Sequence, residues 1–227
     1  MRVLAIDTAL EACSAAVLDT EAPGKAVQES MAMTRGHAEA LMPMIFRVLE
    51  NAGIAAEDLD RIAVTVGPGS FTGLRVGIAA ARGIALAAGK PAIGLTTLAA
   101  YAAPLIAADD TRAVVSTIDA HHDSVYIQIF GPGGRVAMSP RVLGLREAVR
   151  AAHSGAPRLV GTGADLLVKV WPSGERPPAS VDTSRAPDIR WVARLGAAAP
   201  PSSTPPKPLY LRPPDAQPQA AARLPRR

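Results

Sequence analysis

The chain has 227 residues, 48% of them hydrophobic and 19% charged, with a formal charge of +4 and a pI near 9.6. That is enough apolar material for one large domain or two small lobes, each with a buried core. The single cysteine, Cys13, excludes an internal disulfide and a thiolate zinc cage, and a reducing cytoplasmic setting is expected. Asp7 and Glu11 break the apolar start, which speaks against a signal peptide or membrane span, so a soluble, unprocessed chain with no membrane role is expected. The arginines are scattered singly, against direct RNA binding by the body. Arg223, Arg226 and Arg227 gather behind a proline-rich stretch and read as a solvated end.

Residues 2–7 form an apolar run ending in an acid, and residues 13–18 follow after a tight turn; both read as strands, with a third over 26–31. Leu41, Ile45, Val48 and Leu49 have helical spacing and predict a helix over 37–51, stopped by Gly53. Residues 61–66 read as a buried strand, GPGS as a turn, and 71–88 as an alanine-rich helix closed by Gly89 and Pro91. A short strand over 92–95 leads into a helix from Thr97 that Pro104 is expected to disturb. Three strands before the first helix is not a doubly wound dinucleotide order; it is the order of the actin and Hsp70 ATPase lobe.

Beyond Asp109 the pattern restarts, with strands over 113–119 and 124–130 separated by AHHD, and GPGG marking a turn. A helix over 145–152, a strand over 158–160 running into GTG, and helices over 165–170 and 188–198 complete it, with Trp191 in the last. The expected architecture is α/β and actin-like, with a first lobe over 1–108, a second, reduced lobe over 109–199 and a proline-rich tail over 200–227. Within that tail only PLYLR looks able to dock.

GPGSFTGLRVG, residues 67–77, lies between a strand and a helix. Gly67 and Gly69 permit positive torsions around Pro68 and Ser70 can cap the helix, so the loop is either an anion cradle or a tight turn feeding a closely packed helix. Neither GxxxxGK[ST] nor GxGxxG is present. Gly73, Gly77 and Ala81 recur every fourth residue, a face that another helix backbone can approach. The preceding helix, with Leu41, Met42, Met44, Ile45 and Phe46 around Pro43, is apolar on more than one side. A partner surface is expected from His37, Leu41, Met44, Ile45, Val48, Gly69, Phe71, Gly73, Leu74, Gly77 and Ala81.

Asp7, beside Thr8 at a strand end, either holds a metal and phosphate or is satisfied by turn amides. Asp119 is the natural matching acid in the second lobe, so Asp7, Thr8, Ser70 and Asp119 are the candidate nucleotide or phosphate contacts. His121 and His122 point to opposite faces of a strand and cannot share one metal, and His37, His153 and Cys13 have no evident co-ligand, so neither a metal site nor a catalytic residue is assigned. Ser70 lacks the GxSxG spacing of an exposed nucleophile.

Taken together, LAIDTA, HAEALMPMI, VGPGSFTGLRVGIAAARGIALA, PAIGLTTLAAYA and PLYLR resemble the TsaB (YeaZ-like) family, the dimerisation subunit of the bacterial machinery for threonylcarbamoyladenosine in tRNA. The resemblance runs almost continuously through the first lobe and rests on DAHHDSVYIQIF, VGTGA and PLYLR beyond it. It implies two ribonuclease-H-like lobes and a non-catalytic scaffold that pairs, through first-lobe helices, with a TsaD-like catalytic subunit. It further implies a TsaE-like ATPase as partner, tRNA met through the complex, and a homodimer when the chain is alone. No cofactor of its own is implied, with ATP or ADP and magnesium placed at the complex interface. By the same resemblance, two metal-binding histidines of the catalytic sister fall on Thr97 and Tyr101, neither of which replaces an imidazole. The alternative is an actin-like enzyme, a phosphotransferase or glycoprotease, using Asp7.

Overall fold

Alternating apolar runs broken by short turns fold into an antiparallel meander of β1 (Arg2–Asp7), β2 (Ala12–Asp19) and β3 (Val27–Ala32). The computed structural model describes residues 1–22, 26–200, 202 and 204–212. β1 and β2 are buried along nearly their whole length, so both faces of their sheet need cover. Helix α1 (His37–Ala52) follows, then β4 (Arg61–Gly67), α2 (Phe71–Ala88) and β5 (Ala92–Thr96), with β4 and β5 parallel to β1. The sheet order is β3-β2-β1-β4-β5.

After α3 (Thr97–Ala108) the same unit repeats. It consists of β6 (Val114–Asp119), β7 (Ser124–Phe130), β8 (Val136–Gly144), α4 (Leu145–Ala152), β9 (Arg158–Val160), α5 (Ala164–Lys169), β10 (Ser180–Asp182) and α6 (Ile189–Ala198). Its sheet, β10-β9-β6-β7-β8, is the first sheet's order over again. Two such ribonuclease-H-like units in tandem form the expected actin-like arrangement. The second is the smaller, since β9 and β10 have three residues each and α5 six.

Several expectations need correction. β8 and β10 were not foreseen: β8 is a largely exposed edge strand carrying Pro140, which only an edge tolerates, and β10 is three exposed residues. Helix α3 runs through Pro104 to Ala108 instead of stopping: the proline removes one amide from the ladder and crowds the carbonyl four residues before it, yet the buried packing of Leu98, Tyr101 and Ala102 on the second sheet holds the helix in place. The lobe boundaries also shift. α6, assigned to the second lobe, lies across the first sheet, where Ile189, Val192 and Ala193 pack on Val3, Ala5 and Ala63. Conversely α3 turns Leu98, Tyr101 and Ala102 toward Val114, Ile118 and Phe130 of the second sheet.

Each exchanged helix is latched at its C-terminus by an arginine from the first residue of a parallel strand. Arg61 opens β4 and donates to the carbonyls of Gly196 (3.0 Å) and Ala199 (2.8 Å) at the end of α6. Arg158 opens β9 and donates to the carbonyls of Leu105 (2.7 Å) and Asp109 at the end of α3. Helix C-termini present carbonyls without helical donors and a partial negative charge, and a guanidinium answers both. Arg61→Met and Arg158→Met are each expected to cost about 1–3 kcal/mol in urea unfolding. The larger loss is expected at Arg158, which is 7% exposed.

Candidate functional site

The two lobes face each other over a cleft of about 990 Å³ at the turn ends of β1 and β6. Its walls include Ala9, Leu10, Glu11 and His37, the start of α2 at Ser70 and Phe71, and, from the second lobe, Asp119, His121, Thr162 and Asp165. The PLYLR segment docks as expected and straps the cleft. The Leu209 amide donates to the Val66 carbonyl (2.7 Å), Tyr210 stacks on Phe71 with centroids 5.4 Å apart, and Arg212 reaches the Ala120 carbonyl of the other lobe (2.8 Å). The last three arginines lie outside the described residues.

The glycine-rich loop resolves as a packing device. Ser70 donates its amide to the Ala9 carbonyl (2.7 Å) and caps α2 by accepting from the Gly73 amide (3.3 Å). A Cβ added at Gly69 would collide with the Ala9 carbonyl, one at Gly73 with the Thr8 carbonyl, and one at Gly77 with Thr8 Oγ1. Thr8 Oγ1 in turn donates to the Gly73 carbonyl (2.7 Å). The loop has an internal counterpart: VGPGS (66–70) and VGTGA (160–164) both begin on the last residues of a parallel strand and lead into a helix, one in each lobe. Gly161, at φ +103°, approaches Thr117 as Gly69 and Gly73 approach the β1 turn.

Of the four nucleotide or phosphate candidates, Ser70 and Asp119 line the cleft, whereas Asp7 and Thr8 are buried beneath it. Asp7 Oδ1 accepts from Thr65 Oγ1 (2.5 Å) and from the Ala9 amide (3.1 Å), while Oδ2 has no protein partner. Burial pushes its carboxyl above the usual range, only partly offset by the Thr65 and Ala9 bonds. The cleft arginines are already engaged, Arg185 with Glu11 (2.5 Å) and Arg212 with Ala120. Asp119 Oδ1 accepts the His121 amide (2.7 Å). Thr97 and Tyr101 are both buried, and the Tyr101 hydroxyl donates to the Ser184 carbonyl (2.9 Å). Burial, with a smaller push from Asp7, holds that phenol far above its usual range, so it stays neutral. Cys13 is likewise buried, its thiol pushed up to about 11. Among the described residues no three His, Cys, Asp or Glu side chains converge to hold a metal ion.

The expected partner surface is corrected most. Leu41, Met44, Ile45, Val48, Gly73, Leu74, Gly77 and Ala81 are buried beneath their own lobe. His37 is also buried, with Nε2 3.2 Å from the Leu10 carbonyl. The stripe of small residues exists to bring α2 onto the β1 turn, so its face is already occupied. The opposite face is bare: Met42 and Phe46 on α1, and Phe71, Ala79, Gly83 and Leu86 on α2, are exposed, Phe46 by 63% and Leu86 by 85%. Only Phe71 of the expected set belongs to this outer surface, and Gly69 is half-buried against Ala9. α2 is long and apolar enough to cross a membrane by length and composition, yet 33% of it is buried, all on the sheet side.

Fold and cleft together define a two-lobed actin-like protein whose floor acid is sealed from the cleft. A family model described as TsaD, tRNA N6-adenosine threonylcarbamoyltransferase, matches residues 30–161. The tRNA threonylcarbamoyladenosine biosynthesis protein TsaB of Escherichia coli is 39% identical over 126 residues, covering 56% of this chain and 53% of that protein. An uncharacterized protein of Mycobacterium tuberculosis is 34% identical over 221 residues, 96% of this chain and 95% of its own. The solved structure of YeaZ from Pseudomonas aeruginosa superposes with a TM-score of 0.79 at 30% identity, covering 92% of this chain and 99% of that one. The chain belongs to the TsaB (YeaZ-like) family, and its match spans about half the length of the relatives that carry the TsaB name.

Two outcomes follow from this packing. Gly73→Ala should destabilise by about 1–3 kcal/mol because the β1 turn must retreat. Gly83→Ala, on the open face of the same helix with nothing within 4 Å, should stabilise by up to about 1 kcal/mol in parallel denaturation curves. A raised carboxyl pKa means the folded state keeps a proton that the unfolded chain releases above pH 3.8, so the Asp7 contribution falls as pH rises from there. Asp7→Asn should flatten that decline when stability is followed from acid to neutral pH.

Proposed function

We propose that this chain is a non-catalytic scaffold of tRNA threonylcarbamoyladenosine synthesis, activating a TsaD-like catalytic subunit by pairing with it through the outer faces of α1 and α2. One observation carries the reading. Two adjacent helices present apolar side chains to solvent, Phe46 on one and Leu86 on the other, although each already has a complete inner face. Exposed apolar surface of this kind marks a contact site, and burying a Leu or Phe contributes about 1.5–3 kcal/mol. In this reading the same surface pairs two copies when the chain is alone, and a TsaE-like ATPase joins the pair. ATP and magnesium belong to the joint between subunits, and tRNA is met through the assembly.

The enzyme alternative needs a charged Asp7 facing the cleft. The burial of that carboxyl and its bonds to Thr65 and Ala9 favour a structural role.

The test is reconstitution of threonylcarbamoyladenosine formation in tRNA with the TsaD-like and TsaE-like proteins. The chain alone should give no product, and adding it should raise the yield of the mixture. Phe46→Asp, at an exposed position, should remove the stimulation at an unchanged melting temperature. If Asp7→Asn abolishes product while association persists, the enzyme reading takes its place.

A further inference from the structure

The outer face of α2 has a chemical character beyond being apolar. Between Asp60 and Asp109 the sequence holds no Asp or Glu, so every charge on α2 and its flanks is positive. Arg75, Ala79, Arg82, Gly83 and Leu86 are exposed at helical spacing on one side. Arg75 is committed, its Nε donating to the Tyr210 hydroxyl (3.1 Å) and its guanidinium lying 3.8 Å from the Phe71 ring centre. Arg82 and Lys90 form no ion pair among the described residues. The nearest acids in sequence are Asp60, whose Oδ2 accepts the Arg2 amide (2.7 Å), and Asp109, which pairs with Arg158. Glu57 and Asp58 sit on the turn Ala56–Asp58, and Asp58 Oδ2 accepts the Ala55 amide (2.9 Å). Arg82 and Lys90 also line a groove of about 540 Å³ with Gly83, Leu86, Pro91 and Pro205.

We infer that this groove takes a segment of the partner protein that is apolar at its centre and carries carboxylates at its edge, with Leu86 as anchor and Arg82 and Lys90 as their counter-ions. The inference rests on the pairing reading and adds the chemistry of the surface that pairs. A cation desolvated at an interface must be paired, and only an acidic partner supplies that pairing here. A nucleic acid backbone would satisfy the cations but leave Leu86, the most exposed large apolar side chain among the described residues, without apolar contact. Two unpaired cations are also few for a phosphate track.

The experiment measures association of the full chain with the TsaD-like subunit of the same organism by calorimetry, at low and high salt, with tRNA binding measured in parallel. Leu86→Ala should weaken association about tenfold. Arg82→Glu and Lys90→Glu should each weaken it about tenfold, with the loss shrinking at high salt. Melting temperatures should stay at the parent value for Leu86→Ala and Arg82→Glu, both at exposed positions, and the Lys90→Glu result is read only with its own melting curve, since Lys90 is half-buried. If both reversals pair like the parent while Phe46→Asp does not, the carboxylate assignment is overturned and the pairing reading stands. If the reversals lower tRNA retention but leave subunit pairing intact, the groove serves phosphates and the inference is overturned. Absence of any association by the parent chain would remove the pairing reading and this inference with it.

Discussion

The start of α2 lies against the Thr8–Ala9 turn at backbone distance, and most of the molecule's behaviour follows from that approach. Side chains at 69, 73 or 77 would hold the helix away from β1. With glycine there, Thr8 Oγ1 can donate to the Gly73 carbonyl and the Ser70 amide can reach Ala9, so helix and strand end are joined by direct hydrogen bonds. Asp7, one residue before that turn, is fully buried, and burial raises its carboxyl above the usual range. The close approach also decides which side of α2 faces water: once the glycine side is spent on β1, the side bearing Ala79, Gly83 and Leu86 is left for other molecules.

Much of this was legible in the amino-acid order. The strand and helix limits of the first lobe follow from apolar runs stopped by Gly53, Gly89 and Pro91, and α2 spans 71–88 as its alanine-rich pattern implies. The face of α2 was misjudged for a physical reason. A stripe of glycine and alanine looks the same whether it admits a foreign helix or the chain's own first turn, and periodicity alone cannot distinguish them. The discriminating signal was present in Arg75 and Arg82, seven residues apart, which mark the solvent side of the helix and place Gly73, Gly77 and Ala81 on the other. β8 was hidden by Pro140 and by polar edge positions, and β10 by its brevity. The destination of α6 depends on tertiary crossing that no local pattern encodes.

The polar groups in and beneath the cleft are largely bonded within the chain. Thr97 and Tyr101 stand where resemblance placed a metal-binding pair in a related subunit, and here the tyrosine hydroxyl is spent on the Ser184 carbonyl. Burial raises the Tyr101 phenol, the Asp7 carboxyl and the Cys13 thiol above their usual ranges, the direction that disfavours a charged nucleophile or ligand at each. The polar groups that face the cleft, Glu11 with Arg185 and Arg212 with Ala120, are bonded to one another or to backbone across the lobes. They act as fasteners between the halves.

The exchange of α3 and α6 bears on how the chain acquires its structure. A fragment ending at Ala108 would carry a sheet with Val3, Ala5 and Ala63 largely uncovered on one side, touched only at Ala100 of α3, because the helix that supplies Ile189, Val192 and Ala193 arrives from the far end of the sequence. Each core therefore borrows a helix from the other half of the sequence despite their visible duplication. During synthesis the leading half must wait, one flank uncovered, until the residues of α6 have left the ribosome.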